Sequence, residues 1–204
     1  AKVTPEKGQL ELELLNAGRS LIGVDEVGRG CIAGPVVAAC VALDYQKLWN
    51  LSEGVRSLIR DSKTLSKSQR AAQIEVIHSV SRFFAVGEAS VEEIEKIGIL
   101  KATFLAMNRA IAQAPSDNCL LLIDGNQKIP DQILEQRTIV RGDSLCYSIA
   151  AASILAKEFR DEYMRIQCER FPGYGFSSHV GYGTAAHLQA IKLSGITPLH
   201  RKTF

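Results

Sequence analysis

The feature that most constrains the fold is an unbroken apolar run, Cys119-Leu120-Leu121-Leu122-Ile123, stopped by Asp124-Gly125. Too short for a helix and apolar at successive positions, it has the pattern of a parallel strand buried on both faces. A second run, Leu21-Ile22-Gly23-Val24, ends in Asp25-Glu26, and a third β-rich run occupies 35–43. Gly28, Gly30 and Gly34 between them mark a connection with unusual backbone angles, so these two runs are expected to be neighbouring strands.

The rest of the chain alternates. Residues 1–20 mix charge with Leu10, Leu12, Leu14 and Leu15 and predict a short helix or a loose lead-in. A polar stretch containing Asp61-Ser62-Lys63 follows the first strands, and Ser66 has the character of an N-cap for a helix to about His78. A strand is expected over 82–89, helices over 91–97 and 99–114 closed by Pro115, a short strand over 137–140, and a long helix from Ser144 to about Arg170. Leu145, Ile149, Ala152, Leu155, Phe159, Tyr163 and Ile166 recur at intervals of three and four and form one face of that long helix. A Gly- and Tyr-rich loop over 172–183 leads into a last helix over 184–193. The class is α/β: a central mixed β-sheet flanked by helices, with a C-terminal helical portion. The domain plan is a lead-in over 1–20 and one domain over 21–204. A chain of this size buries roughly 70% of its unfolded surface, enough for a core without disulfides or a structural metal.

Charge and cysteines narrow the function classes. A net charge of +2 excludes a strongly cationic coat but permits a local basic groove. Cys31, Cys40, Cys119, Cys146 and Cys168 are odd in number and lack a C-x-x-C pair, which excludes a disulfide scaffold and a zinc ribbon. Buried free thiols in a reducing, cytoplasmic compartment are the expectation. No transmembrane run or secretory signal is visible, so no membrane partner is expected. The chain begins with Ala1 rather than Met, which is read as processing or trimming.

Acids fall where strands stop or helices begin: Asp25-Glu26, Asp124 and Asp143. In open α/β sheets functional groups collect at strand ends. Four carboxylates gathered there repel one another, and a pair of divalent cations with a preference for hard oxygen ligands resolves the conflict. Asp25 and Glu26 are adjacent, and neighbours in a regular strand face opposite sides, so both reach one site only if the strand ends or bends. Taken singly, Asp124-Gly125 is better read as a turn and Asp143 as a helix cap. Asp25-Glu26 is harder to dismiss, because acids ending an apolar strand are costly unless solvated or paired. The pattern alone leaves a metal site and a structural reading both open.

Other positions are weighed the same way. Gly28-Arg29-Gly30 suits close approach to a phosphate or, more simply, a tight turn with a solvated arginine. A dinucleotide loop is excluded because a strand, not a helix, follows. Asp61-Ser62-Lys63 reads as a surface loop on composition alone, and Lys157 as solvent-exposed. The aromatics of the 172–183 loop either stack on bases or sugars or act as packing plugs. The four histidines have no zinc-ligand spacing, and His187 sits on the inward face of the last helix with Leu188 and Ile191.

Together these segments resemble the ribonuclease HII family. The resemblance rests on Val24-Asp25-Glu26-Val27-Gly28-Arg29-Gly30, Asp61-Ser62-Lys63, Ile123-Asp124-Gly125 and Gly142-Asp143. It continues through Ala150-Ala151-Ala152-Ser153-Ile154-Leu155-Ala156-Lys157, Tyr174-Gly175-Phe176, Gly181-Tyr182-Gly183-Thr184 and His200-Arg201. It runs from about residue 21 to the C-terminus, and residues 1–20 carry no match. It implies a ribonuclease H-like fold and a catalytic and metal-binding set of Asp25, Glu26, Asp124 and Asp143. It also implies Mg²⁺ or Mn²⁺ as cofactor, with RNA–DNA hybrids and DNA duplexes containing ribonucleotides as partners, and cleavage to 5′-phosphate and 3′-hydroxyl ends. By the same resemblance, the backbone of Gly28-Arg29-Gly30 reads the ribose 2′-hydroxyl. Ser62 and Lys63 contact phosphate, and Tyr182 packs on the sugar of the following deoxynucleotide.

Members often carry lysine before Gly-Tyr-Gly, where this chain has Val180, and Phe204 ends the chain early for the family. The related ribonuclease HIII branch usually carries an additional N-terminal domain, for which residues 1–20 leave no room. A monomer is expected. The rival readings are a non-catalytic RNA–DNA hybrid binding module and a hydrolase of small phosphate esters.

Overall fold

The structure is a computed structural model describing residues 6–60, 66–115 and 118–203. Ser62 and Lys63, named above as phosphate contacts, lie outside the described residues. Helix α1 (Gln9–Asn16) leads into strands β1 (Ser20–Val27) and β2 (Val36–Leu43), then short helices α2 (Tyr45–Asn50) and α3 (Glu53–Arg56). Helix α4 (Lys67–Val80), strand β3 (Ser81–Ala89) and helices α5 (Val91–Ile97) and α6 (Ile99–Ile111) follow. Strands β4 (Cys119–Asp124) and β5 (Glu135–Ile139) complete the sheet. The chain then continues through α7 (Gly142–Leu145), α8 (Tyr147–Arg170), α9 (Phe176–His179) and α10 (Ala185–Ser194).

The sheet order is β3-β2-β1-β4-β5. β1 pairs antiparallel with β2 and parallel with β4, and β4 pairs parallel with β5. This is the mixed sheet expected from the sequence, with its two most apolar strands, β2 and β4, on either side of β1. Successive residues serve opposite layers. Leu21, Val37, Val41, Leu120 and Leu122 pack with Ile149, Ala152 and Leu155 of α8. Ile22, Val24, Val36, Cys40 and Ile123 pack with Ala102, Ala106 and Ala110 of α6. A third cluster holds the C-terminal portion together around Met164, Tyr174, Phe176 and Leu199.

Helix α8 lies directly on β1 because nothing projects between them. A Cβ at Gly23 would stand 2.2 Å from the Ser148 carbonyl carbon and 2.4 Å from the Ile149 nitrogen. The small buried side chains Ala150, Ala151 and Ala152 sustain the approach along the helix. No helix among the described residues is long and apolar enough to cross a membrane.

Several boundaries depart from expectation. The long helix is interrupted: Cys146 is extended (φ −124, ψ 132), and α8 starts afresh at Tyr147. Its first amides, on Tyr147 and Ser148, donate to the buried Glu11 carboxylate at 2.7 and 2.9 Å, so a residue from α1 satisfies the helix start. The apolar stripe of α8 also drifts. Phe159 and Ile166 are exposed, while Ala156, Arg160, Met164 and Gln167 turn inward. Beyond the sheet the helix packs against the C-terminal portion from a different side, and the buried face rotates accordingly. α6 stops at Ile111, before Pro115, β5 starts at Glu135 rather than 137, and the polar stretch after β2 contains α2 and α3.

Gly23→Ala is expected to lower stability by about 3 kcal/mol or more, because backbone rather than a movable side chain stands in the way. Denaturant unfolding of the two proteins checks this, and near-equal midpoints would show that α8 can lift from β1 at little cost.

Candidate active site

The parallel strands end together, and the acids gather at that edge. β1 pairs with β4 only as far as Val24 opposite Ile123, whereas its pairing with β2 continues to Val27 opposite Val37. The strand therefore does not break at Asp25-Glu26. Both residues belong to β1 but extend past the last β1–β4 pair, where neighbouring acids can approach one site from opposite faces. Asp124 closes β4, and Asp143 lies in α7 just beyond β5.

Asp25 is buried, with 6% of its surface exposed. Its Oδ1 accepts the Glu26 amide at 2.7 Å, and Ser153 of α8 hydrogen-bonds its side chain. Burial pushes its carboxyl well above the usual carboxylate range, and the charges of Glu26 and Asp124 push it further. Asp124 Oδ1 accepts the Gly142 amide at 2.6 Å. Its carboxyl is also raised by burial, with the Asp143 charge adding to the shift and backbone amides, Gly142 first, opposing it. The four acids thus form an electrostatic chain, Glu26 to Asp25 to Asp124 to Asp143. Glu26 and Asp124 raise the cost of ionising Asp25, and Asp143 that of Asp124.

A cleft of about 110 Å³ opens beside them, lined by Glu26, Arg29, Thr103, Phe104, Asp124 and Asn126. The donors are all carboxylate oxygens, the chemistry that hard divalent cations take. Among the described residues no three His, Cys, Asp or Glu side chains converge closely enough to hold an ion unaided. An open set of this kind suits Mg²⁺, which binds through one or two carboxylates and completes its shell with water and phosphate.

The Gly28-Arg29-Gly30 loop adjoins the acids. Arg29 pairs with Glu26 at 3.2 Å and is largely exposed. Two buried arginines that the sequence reading did not single out as site residues fix this loop. Arg160 donates to the carbonyls of Pro35, Ala33 and Val180 at 2.9, 2.9 and 2.6 Å. Arg201 donates to those of Gly34, Arg29 and Gly28 at 2.9, 3.2 and 2.7 Å. Gly28 has φ +91, and a Cβ there would stand 2.3 Å from Arg160 Nε. The spacing Ala156, Arg160, Met164 could have revealed an arginine on a buried helical face. Nothing local marks Arg201 beyond its place in the resemblance.

Arg160 also holds the segment that carries Tyr182. The Gly181 carbonyl accepts the amides of Ile32 and Ala33 at 2.9 and 3.2 Å, so the two loops are joined edge to edge. Tyr182 is 43% exposed, and its hydroxyl is hydrogen-bonded to the Cys31 thiol. Tyr174 and Phe176 are buried and act as packing plugs. Lys157 is exposed over 39% of its side chain, as expected, and it also lines a groove of about 540 Å³ with Arg70, Asp161, Arg165 and Ser177, pairing with Asp161 at 2.8 Å.

Behind Tyr182 the histidines form a relay. His200 Nδ1 accepts the Thr197 amide at 2.8 Å, which leaves its Nε2 to donate to His187 Nε2 at 3.0 Å. His187 Nδ1 then donates to the Tyr182 carbonyl at 2.8 Å. This assignment needs both rings neutral. His187 is therefore structural, as its position on α10 suggested.

A family model described as Ribonuclease HII matches residues 22–204. Ribonuclease HII of Nitrosomonas europaea is 47% identical over 196 residues, covering 96% of this chain and 87% of that protein. Ribonuclease HII of Synechococcus elongatus is 46% identical over 201 residues, covering 97% and 92%. The chain belongs to the ribonuclease HII family. Among solved structures, ribonuclease HII of Archaeoglobus fulgidus, in its complex with PCNA, superposes with a TM-score of 0.68 at 25% identity, covering 91% of this chain and 95% of that one. Ribonuclease H2 of Pyrococcus horikoshii shares the fold with a TM-score of 0.72 at 21% identity over 91% and 93%. A ribonuclease HIII in complex with Mn²⁺ shares it with a TM-score of 0.68 at 22% identity, covering 91% of this chain and 67% of that one. As a ribonuclease HII, the chain is a divalent-metal-dependent endonuclease of the ribonuclease H type acting on RNA–DNA hybrids.

Burial lowers His187 and His200 below their ordinary 6.5. As the pH falls through 6.5, the unfolded chain takes up protons that the folded chain still refuses, so stability declines toward the lower folded values. Thermal unfolding between pH 7.5 and 5.5 is expected to show this decline, and His187→Gln to flatten it. An unchanged slope in that variant would mean the relay does not govern it.

Proposed function

We propose that the chain cuts 5′ of ribonucleotides embedded in duplex DNA, as well as the RNA strand of hybrids, with Asp25, Glu26, Asp124 and Asp143 holding two divalent cations, Mg²⁺ or Mn²⁺. The observation that carries this is the buried Asp25 flanked by like charges, an arrangement that costs free energy until cations neutralise it. When bound, the cations would lower the pKa of the attacking water and stabilise the leaving 3′-oxygen. Asp25 and Asp124, the two acids shared between neighbours in the electrostatic chain, are the ligands we assign to both cations. The carbonyls of Gly28 and Arg29 are engaged by Arg201, while Arg29 and Gly30 are exposed. That leaves the amides at the loop tip as backbone donors for a ribose 2′-hydroxyl, the group that separates RNA from DNA. Tyr182 offers a half-exposed ring to the neighbouring sugar, and Ser62 and Lys63 are assigned to phosphate. Val180 provides no cation beside Tyr182, so the salt dependence of binding is shallower than with a lysine there. The five cysteines form no disulfide, which fits a reducing, cytoplasmic compartment, and we take the chain to act as a monomer.

A labelled duplex with a single ribonucleotide, incubated with Mg²⁺ or Mn²⁺, tests the reading. Asp25→Asn and Asp124→Asn are each expected to slow cleavage about a hundredfold or more, the scale of losing one transition-state charge contact. Near-normal cleavage by either removes that residue from the mechanism. Binding without cleavage by the unaltered chain would favour the binding-module alternative.

Tyr182→Ala is expected to reduce cleavage at the junction about tenfold, the lower range of an aromatic stacking contact, while Tyr182→Phe stays within about twofold. An alanine variant as active as the parent would place the sugar elsewhere.

A further inference from the structure

The first turn of α1 sits directly behind the Asp143 turn. Lys7 Nζ donates to the Asp143 carbonyl at 2.7 Å and to the Ile59 carbonyl at 2.9 Å, and lies 5.2 Å from the centroid of the Tyr147 ring. The Gly8 amide donates to the Leu145 carbonyl at 2.8 Å. A Cβ on Gly8, whose φ is +88, would stand 2.7 Å from Trp49 and 2.9 Å from Tyr147, so the backbone is seated against both rings. One turn further on, the fully buried Glu11 accepts from the Ser148 hydroxyl and the Tyr45 hydroxyl, each at 2.7 Å, besides the two α8 amides.

These contacts grip α7 from outside. α7 is a single turn, Gly142–Leu145, preceded by Arg141 in the left-handed region and followed by extended Cys146. A turn that short does not hold its own geometry, since helix nucleation is unfavourable until several hydrogen bonds form. Its Asp143 carbonyl is held by Lys7, its Leu145 carbonyl by Gly8, and the start of the next helix by Glu11. The same ammonium holds the Ile59 carbonyl.

We propose that Lys7 is a positioning residue: it fixes the Asp143 turn for cation binding and ties that turn to the backbone at Ile59. Residues 7–11 are then a brace for the site rather than a lead-in. This rests on the reading above that Asp143 is a cation ligand.

The test uses Lys7→Met and Lys7→Arg in the full chain. Mn²⁺ is titrated while the rise in Tm is followed, and cleavage of the single-ribonucleotide duplex is measured over the same Mn²⁺ range. A purely structural lysine would lower the starting Tm without moving the Mn²⁺ midpoint. A positioning lysine moves both midpoints upward, by about tenfold on the scale of lost supporting contacts to metal ligands, and Lys7→Arg restores most of the loss. A folded Lys7→Met with unchanged midpoints overturns the inference while leaving the function intact. Should Lys7→Met fail to fold, Lys7→Gln is judged by the same criterion. An unaltered chain that shows neither a Mn²⁺-dependent rise in Tm nor cleavage overturns the functional reading, and the inference with it.

Discussion

The contact between Gly23 and the first turn of α8 sets the rest of the structure. With no side chain between them, the helix backbone rests on the central strand, and the alanines after it keep the separation small. That closeness brings Ser153 to Asp25 and buries the carboxyl. It also makes α8 a rigid span. From Ser148 to Arg160 the axis rises about 18 Å, carrying a guanidinium from the sheet centre to the loops bearing Gly28 and Gly181. Positions fixed by one helix on one strand are more precise than positions fixed by loops.

The same packing makes the acids expensive. Asp25 is both shielded from water and surrounded by like charge. No hydrogen bond from Ser153 or the Glu26 amide is enough to offset that, since its carboxyl remains well above the ordinary range. The pairing of β1 with β2 runs on through both acids to Val27, which keeps them in the sheet. Where local rules are broken this consistently, the compensation is expected from a ligand rather than from the fold.

What was legible in the sequence was whatever depends on local periodicity. The apolar runs gave β1, β2 and β4 nearly to the residue. The Ser66 cap is present as a full capping box with Gln69. The acids were legible because charge at the end of an apolar run is unusual on its own. The inward turn of Arg160 was not, because a heptad-like stripe read from Leu145 assumes one packing partner along α8, and the helix has two. Glu11 and Lys7 were invisible for a different reason. Their partners lie 136 and 137 residues away, at Tyr147, Ser148 and Asp143, and no pattern within either segment encodes the meeting. The aromatics of the C-terminal loop divided as the chemistry allowed, Tyr174 and Phe176 inward and Tyr182 half outward.

The two buried arginines explain how a glycine-rich loop is held in one conformation. Glycines permit close approach but lose the most conformational entropy on being fixed. The reading proposed for this loop, recognition of one hydroxyl by backbone groups, requires that it be held without side chains of its own. Here the fixing comes from outside. Arg160 and Arg201 together engage the carbonyls of Gly28, Arg29, Ala33, Gly34 and Pro35, and hydrogen bonds to a charged donor contribute about 1.5–3 kcal/mol each. Because Arg160 also binds the Val180 carbonyl, the loop beside the acids and the segment before Tyr182 share one anchor. Val180 sits at φ +44, a conformation that is strained for a β-branched residue. The surroundings must over-determine such a position for it to persist, and the Arg160 bond to its carbonyl at 2.6 Å and its own amide's bond to the Phe176 carbonyl at 3.1 Å hold it from both sides. The loop proposed to read ribose and the segment proposed to pack on the next sugar are thereby held by one guanidinium.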